Sequence, residues 1–499
     1  MIAPNTLLEL LLGGPGTGAA VVVPESGLAV TYDSLFEQVM SMANGLASAG
    51  IGRGGRVAIV LPNGLPSIVT FLAASISGTA APLHAAYRQE EYRFYLEDTP
   101  ARLLVCEADG AEEARRAAEG LGIRVMEVEQ DARGMVRLAD AQESASASPP
   151  APDDVALVLH TSGSTGRPKR VPIRHSNLTA SAANIVRTYG LTEADVALCA
   201  MPLFHVHGLV ASTLATLLSG GAVVAPAKFN PLAFWRTVKA HRVTWYSAAP
   251  AIHQLLLART GGERRAEGET LRFVRSCSAA LAPALMEQME TVFGVPVLEA
   301  YGMTEAAHQM ASNPLPPLGR KAGSVGPGTG VRISIMDDGG QHLPQGARGE
   351  VAIQGPNVVA GYENNPEANA ASFVDGWFRT GDQGFLDADG YLTLTGRIKE
   401  LINRGGEKIA PREIDEVLLA HPAVLEAVAF GVPHPAWGEE VAAAVVLRES
   451  EPEATLLKYC RERLAEFKCP KKLFVVQAIP RTATGKIQRG AVAASLSAP

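Results

Sequence analysis

The sequence predicts an α/β protein: a large N-terminal domain of α/β subdomains plus a β-rich subdomain, followed by a small α+β C-terminal domain. Three observations predict the architecture. The chain has 499 residues, too many for one ordinary core. Helix-like and strand-like stretches alternate through its first half, the pattern of a largely parallel sheet. The last hundred residues carry their own set of strands and helices.

In chain order, Thr31 is placed to cap a helix from Tyr32 to about Ala49, with Leu35, Val39, Met42 and Leu46 on one face. Residues 56–61 read as a buried strand, 65–77 as an apolar helix, and 103–106 and 124–128 as further strands. Gly50, Gly52 and Gly55 have the G-x-G-x-x-G spacing, but they follow a helix and precede a strand, the reverse of a dinucleotide fold. Residues 144–152, rich in Ser, Ala and Pro, read as a loop inside the large domain. A second α/β block spans about 176–297, and a Gly-rich β region spans 324–394. Pro411 opens a helix whose apolar face is Ile414, Val417 and Leu418. Strands at 424–430, 441–447 and 472–476 and a helix near 456–466 complete the C-terminal unit. The predicted boundaries are 1–396 for the large domain, 397–400 for a hinge and 401–499 for the small domain.

Composition narrows the function classes. A net charge of −7 gives no electrostatic support to a nucleic-acid partner. Five cysteines, with no C-x-x-C pair and no Cys/His cluster, read as reduced cytosolic thiols. No segment is apolar for long enough to span a membrane, and neither end reads as a targeting signal. A cytoplasmic protein is expected.

The stretch after the strand at 155–159 carries the first chemistry. Thr161, Ser162, Ser164 and Thr165 alternate with Gly163 and Gly166, and Lys169 follows. Glycines let successive amides point into one concavity, hydroxyls add donors and lysine adds charge. Together they describe a polyphosphate clamp, although the Walker A spacing is missing. Tyr301, Thr304 and Glu305 offer a ring for a base, a hydroxyl for a phosphate and a carboxylate for Mg²⁺. Asp382 after a Gly turn suits two ribose hydroxyls, and Arg397 suits the same sugar. Taken singly, these residues read equally well as core, turn or surface positions.

Read in order, T-S-G-S-T-G-R-P-K, Y-G-M-T-E, T-G-D, G-R-I-K-E and P-R-T-A-T-G-K-I resemble the adenylate-forming superfamily of acyl-CoA synthetases, luciferases and peptide-synthetase adenylation domains. The resemblance covers essentially the whole chain. It implies attack of a carboxylate on the α-phosphate of ATP, followed by displacement of AMP by a thiol, usually coenzyme A. It also implies an ATP site of Thr161, Ser162, Gly163, Ser164, Thr165, Gly166, Lys169, Ala279, Glu299, Ala300, Tyr301, Thr304, Asp382, Arg397 and Lys486. Within that site Glu305 would bind Mg²⁺, and Lys486 would bridge carboxylate and α-phosphate. The resemblance further implies that the small C-terminal domain is mobile, makes Lys399 the hinge residue and sets Gly405 and Gly406 against the pantetheine arm of CoA.

The acid pocket is expected near 201–209, 276–281 and 301–310. His207, Ser278 and His308 fall there, polar where a fatty or aryl acid would want apolar walls. His207 is also counted with Lys486, Thr304 and Glu305 as catalytic, whereas His205 is read as structural. Polar and potentially cationic groups suit a second carboxylate. The strings P-L-F-H-V-H-G-L, R-S-C-S-A-A-L-A-P and T-E-A-A-H-Q-M-A-S-N-P resemble the oxalate–CoA ligase branch, which implies oxalate as the acid. The alternatives are a CoA ligase for another small or aryl acid (malonate, a coumarate-like acid) and a stand-alone enzyme loading a carrier protein.

Overall fold

A computed structural model describes residues 4–139, 141, 144–161, 168–260, 268–482 and 486–496. Two large sheets dominate, each parallel in its middle and finished at both edges by an antiparallel strand. The first runs in space Val136–Leu138, Arg124–Gln130, Leu103–Glu107, Arg56–Val60, Thr79–Pro82, Val155–Thr161 and Lys169–Arg174. The second runs His308–Ser312, Val297–Met303, Phe273–Ser276, Trp245–Ala248, Val196–Cys199, Ala222–Val224, Ala19–Val23 and Leu28–Thr31.

Local chemistry explains the helices between them. The Thr31 side chain accepts from the Ser34 amide at 3.2 Å, which satisfies one orphan donor at the start of Tyr32–Ser48. Leu35, Val39, Met42 and Leu46 are all buried on one face of that helix. Leu65–Ser77 is buried almost all round because it touches strands of both sheets. The 144–152 stretch is irregular, as expected, but it is pinned. Ser48 accepts from the amides of Ser144 and Ala145, and Asn44 accepts from that of Ala147.

Three readings need correction. The second sheet is not confined to 176–297: it recruits the N-terminal strands Ala19–Val23 and Leu28–Thr31 and extends to Ser312. Pairing at that sequence distance leaves no local trace. The helix expected at 456–466 is Glu453–Arg461, with Pro452 at its N-cap, and a separate 3-10 turn covers Glu466–Lys468. A hairpin of Ile402–Arg404 and Glu407–Ile409 was not foreseen. Its turn is Gly405-Gly406, with φ of +60° and +94°, the sign required of both central residues in a tight two-residue hairpin.

A five-stranded antiparallel sheet made from Arg332–Met336, Gly349–Gln354, Phe373–Val374, Trp377–Leu386 and Leu392–Arg397 fills the predicted β-rich region. Beyond it, another five-stranded sheet carries two separate cores on its faces. Ala427, Ala429, Val441, Ala443 and Val445 point to one core, and Val428, Phe430, Ala442 and Ala444 to the other, the period-two alternation of a sheet covered on both sides. Among the described residues no helix is long and apolar enough to cross a membrane.

Candidate functional site

The site forms where the parallel strands of the eight-stranded sheet end, the usual place for ligands in open α/β sheets. Ser247 and Arg275 are register partners on neighbouring strands, and Cys277 and Ser278 follow as the second strand runs out. His207 heads a π-helical segment, His207–Leu214, a wide turn often found at functional positions. His308 opens the antiparallel strand that returns beside Met303. Gly302 permits this return, since a Cβ there would lie 2.3 Å from the His308 carbonyl oxygen.

These elements bring together His207, Ser278 and His308. His207 Nδ1 lies 2.9 Å from Ser278 Oγ, and its Nε2 lies 2.6 Å from Ser247 Oγ. The rings of His207 and His308 stack at 5.0 Å with 25° between their planes. Nε2 of His308 is buried with no hydrogen-bond partner among the described residues. Ser278 and His308 sit at φ of +75° and +114°, backbone strain of the kind that clusters where geometry serves a ligand.

Both histidines are neutral here. Burial, reinforced by the charge of Arg275, holds each well below the ordinary histidine range. The cation behind this wall is therefore Arg275, a residue the sequence reading quoted within R-S-C-S-A-A-L but passed over. Its signal was an arginine inside an otherwise apolar strand. His205 is half-buried, accepts from the His207 amide through Nδ1, and is pushed down to about 3 by burial.

The nucleotide residues lie beside the acid pocket. Tyr301, at the end of Val297–Met303, donates its hydroxyl to Asp382 Oδ2. Arg397 Nε contacts the other oxygen of Asp382 at 3.0 Å. Asp382 and Arg397 are partners across two antiparallel strands, so the sheet register itself creates this pair. Thr304 and Glu305 form a buried 3-10 turn. Tyr362 donates to Oε1 of Glu305 at 2.8 Å. A single buried carboxylate fits Mg²⁺, which binds through one or two carboxylates plus the phosphates of its substrate. Lys169 stands over the Tyr362 ring at 4.4 Å. Burial lowers its ammonium from the ordinary lysine range, opposed by Glu305 and assisted by Lys399.

Lys486 comes from the far end of the chain, yet it is close enough to feel Arg397, Asp382 and Glu305. Burial lowers its ammonium first and Arg397 lowers it further, while the two carboxylates oppose them. Thr161 and Lys169 face each other across two antiparallel strands. Ser162, Gly163, Ser164, Thr165 and Gly166 lie outside the described residues. A Cβ on Gly405 would meet the ring of Trp437, and Arg404 pairs with Glu440 on the neighbouring strand. Ala279 and Ala300 flank the site as short side chains, half-buried and buried.

Glu299 is fully enclosed. Its Oε1 accepts from the Leu281 amide at 3.0 Å and lies 3.9 Å from Arg412 Nη2, while Oε2 has no partner among the described residues. Burial pushes this carboxyl up to about 7, with Arg412 opposing. A carboxyl that holds its proton more tightly when folded contributes stability below its unfolded value near 4.5 and loses it as pH rises through 7. Glu299→Gln is expected to flatten the fall in thermal stability between pH 5 and pH 8. The difference is at most on the order of 3 kcal/mol, read as melting temperature against pH for both proteins.

A buried polar wall of His207, Ser278 and His308, with Lys486 and the Asp382–Arg397 pair, sits in the fold of a known class: an AMP-forming acid–thiol ligase that uses ATP, Mg²⁺ and coenzyme A. The chain belongs to the AMP-binding enzyme family. The description "AMP-binding enzyme" matches residues 15–363, and "AMP-binding enzyme C-terminal domain" matches 413–486. An oxalate–CoA ligase of Arabidopsis thaliana is 48 % identical over 477 residues, covering 93 % of each chain. That of Saccharomyces cerevisiae is 42 % identical over 513 residues, covering 95 % of this chain and 94 % of its own. ATP-bound MatB from Rhodopseudomonas palustris matches with a TM-score of 0.91 at 31 % identity over 99 % of both chains.

Proposed function

We propose that this enzyme joins oxalate to coenzyme A at the expense of ATP, giving oxalyl-CoA, AMP and pyrophosphate. The observation that carries the proposal is the wall of Ser278, His207 and His308. It is polar, buried and neutral, with a hydrogen-bonding nitrogen of His308 left unspent. A monocarboxylate with an apolar tail would leave those groups desolvated and unpaired. A second carboxylate satisfies them, and the similarity to oxalate–CoA ligases over nearly the full chain supports the same acid.

In the first step an oxygen of the acid attacks the α-phosphorus of ATP and pyrophosphate leaves. The attacking and attacked groups are both anionic, so alignment and charge neutralisation govern the barrier. Thr161, Ser162, Ser164, Thr165 and Lys169 hold the departing phosphates, and Glu305 holds Mg²⁺ beside them. Thr304 meets the α-phosphate. Tyr301 faces adenine, and Asp382 with Arg397 holds the ribose. Lys486 spans carboxylate and α-phosphate. In the second step the CoA sulfur attacks the acyl carbon and AMP leaves.

Residues 1–396 and 401–499 act as two domains that turn about 397–400 between the steps, with Lys399 as the hinge residue. The turn withdraws Lys486 and brings Gly405-Gly406 to the pantetheine arm. Support comes from the 3-10 turn Ile398–Glu400 at the joint and from the separate cores of the C-terminal sheet. The reduced, buried cysteines support a cytoplasmic setting.

The test is a panel of oxalate, glycolate, acetate, malonate, sulfoacetate and 4-coumarate. AMP release is followed with and without CoA, and the thioester is identified by mass. Oxalyl-CoA formed well above every other product is the expected result. A preference for any monocarboxylate overturns the assignment.

A further inference from the structure

Arg275 is fully buried, and among the described residues every side chain it hydrogen-bonds is neutral. Its Nη1 donates to Ser247 Oγ at 2.8 Å, its Nε to the Tyr189 hydroxyl at 2.9 Å and its Nη2 to Gln309 Oε1 at 3.0 Å. Among the described residues no carboxylate lies within ion-pair reach. Buried charges are normally paired, so a guanidinium held this way is matched to an anion that arrives from outside.

Its position also fixes a direction. Arginine only donates, so Ser247 Oγ accepts from it. A serine oxygen can accept twice, so Arg275 itself sets the choice: its Nη1 also lies 3.5 Å from His207 Nε2, and a cationic N–H beside that nitrogen favours a lone pair there. The hydroxyl proton of Ser247 then points to His207 Nε2, the unprotonated ring nitrogen. Neutral His207 consequently carries its proton on Nδ1 and donates it to Ser278 Oγ. Ser278 accepts there, and its own proton is left free for the acid pocket. Without Arg275 the chain could reverse, with Ser278 donating to His207 and presenting a lone pair to the acid.

We propose that Arg275 is a positioning residue that determines acid specificity: it polarises the chain Arg275, Ser247, His207, Ser278 so that the chain ends in a proton donor to the acid's second carboxylate. The inference rests on the dianionic-acid reading above and adds the residue that enforces it. The neutrality of His207, imposed by burial, agrees with the same tautomer.

The test uses the full-length enzyme with ¹⁵N-labelled histidine, His207 being assigned by the signals lost in His207→Gln. The wild type should show the Nδ1–H tautomer; an Nε2–H tautomer overturns the proposal. Arg275→Met should shift His207 toward the other tautomer, raise the KM for oxalate at least about tenfold, the loss of one good hydrogen bond, and leave the KM for ATP unchanged. Its ratio of kcat/KM for oxalate over glycolate should fall by a similar factor, whereas Arg275→Lys should restore both tautomer and ratio. Should Arg275→Met fail to fold, the wild-type tautomer still decides, and Arg275→Gln, which removes the charge and can accept as well as donate, should produce the same shift. A folded Arg275→Met or Arg275→Gln that keeps the Nδ1–H signal and the oxalate preference overturns the proposal. If the wild type shows the predicted tautomer but does not turn over oxalate, the substrate assignment has failed while the hydrogen-bond chain stands.

Discussion

Lys486→Ala is expected to abolish formation of the acyl-adenylate while largely sparing thioester formation from acyl-adenylate supplied ready-made. The residue brings a positive charge beside Asp382 and Glu305, where negative charge gathers as the carboxylate meets the α-phosphate. Removing one preorganised donor from such a site costs roughly 10²–10³ in rate, and the loss should equal or exceed that. The measurement pairs pyrophosphate release from oxalate and ATP with CoA consumption from synthetic oxalyl-adenylate. Equal losses in both half-reactions would contradict the division of labour between the two domains.

Glu305→Ala should be nearly as damaging in the first step, for a different reason. In the proposed mechanism the carboxylate would supply a protein oxygen for Mg²⁺; it also fixes the Tyr362 hydroxyl, and Lys169 lies over that ring. Its removal loosens both the metal and the lysine, so adenylation should fall roughly 10²-fold or more, the scale of lost charge stabilisation at a transferring phosphoryl group. The Mg²⁺ concentration giving half-maximal rate should also rise. Glu305→Gln keeps the acceptor for Tyr362 but not the charge. It should preserve the fold, shown by an unchanged melting temperature, and still lose the metal. A Glu305→Gln enzyme with unaltered Mg²⁺ dependence would remove the metal role.

Much of this was legible in the sequence, and the reasons differ from place to place. The helix at Tyr32–Ser48 declared itself because its cap and its apolar stripe are both local. The ordered motifs marked the candidate nucleotide residues because turn glycines and a few charged groups sit close together in the chain. The strand at Ala19–Val23 joins a sheet most of whose strands come after residue 190, and no local pattern encodes that partner. Arg275 was missed for a related reason. Its importance comes from what surrounds it in space, namely Ser247, Tyr189 and Gln309 from three other elements, and from the lack of an acidic neighbour. The expectation that histidines would carry the pocket's charge gave way on the same ground. Burial beside a guanidinium keeps them neutral, and only the fold sets that proximity.

The bond from Tyr301 to Asp382, together with that from Arg397, bears on how the nucleotide is held and let go. Both oxygens of the carboxylate meant for the sugar are already engaged. An incoming ribose therefore exchanges hydrogen bonds more than it adds them, and its net contribution to affinity is small. Tight retention must come from the triphosphate tail and its metal. Once pyrophosphate has gone and the acyl group has passed to sulfur, AMP keeps only the weakly held end, and the Tyr301 hydroxyl is ready to close on Asp382 behind it. On the ribose role proposed for Asp382, the resting contact would act as a built-in competitor that favours turnover over product inhibition.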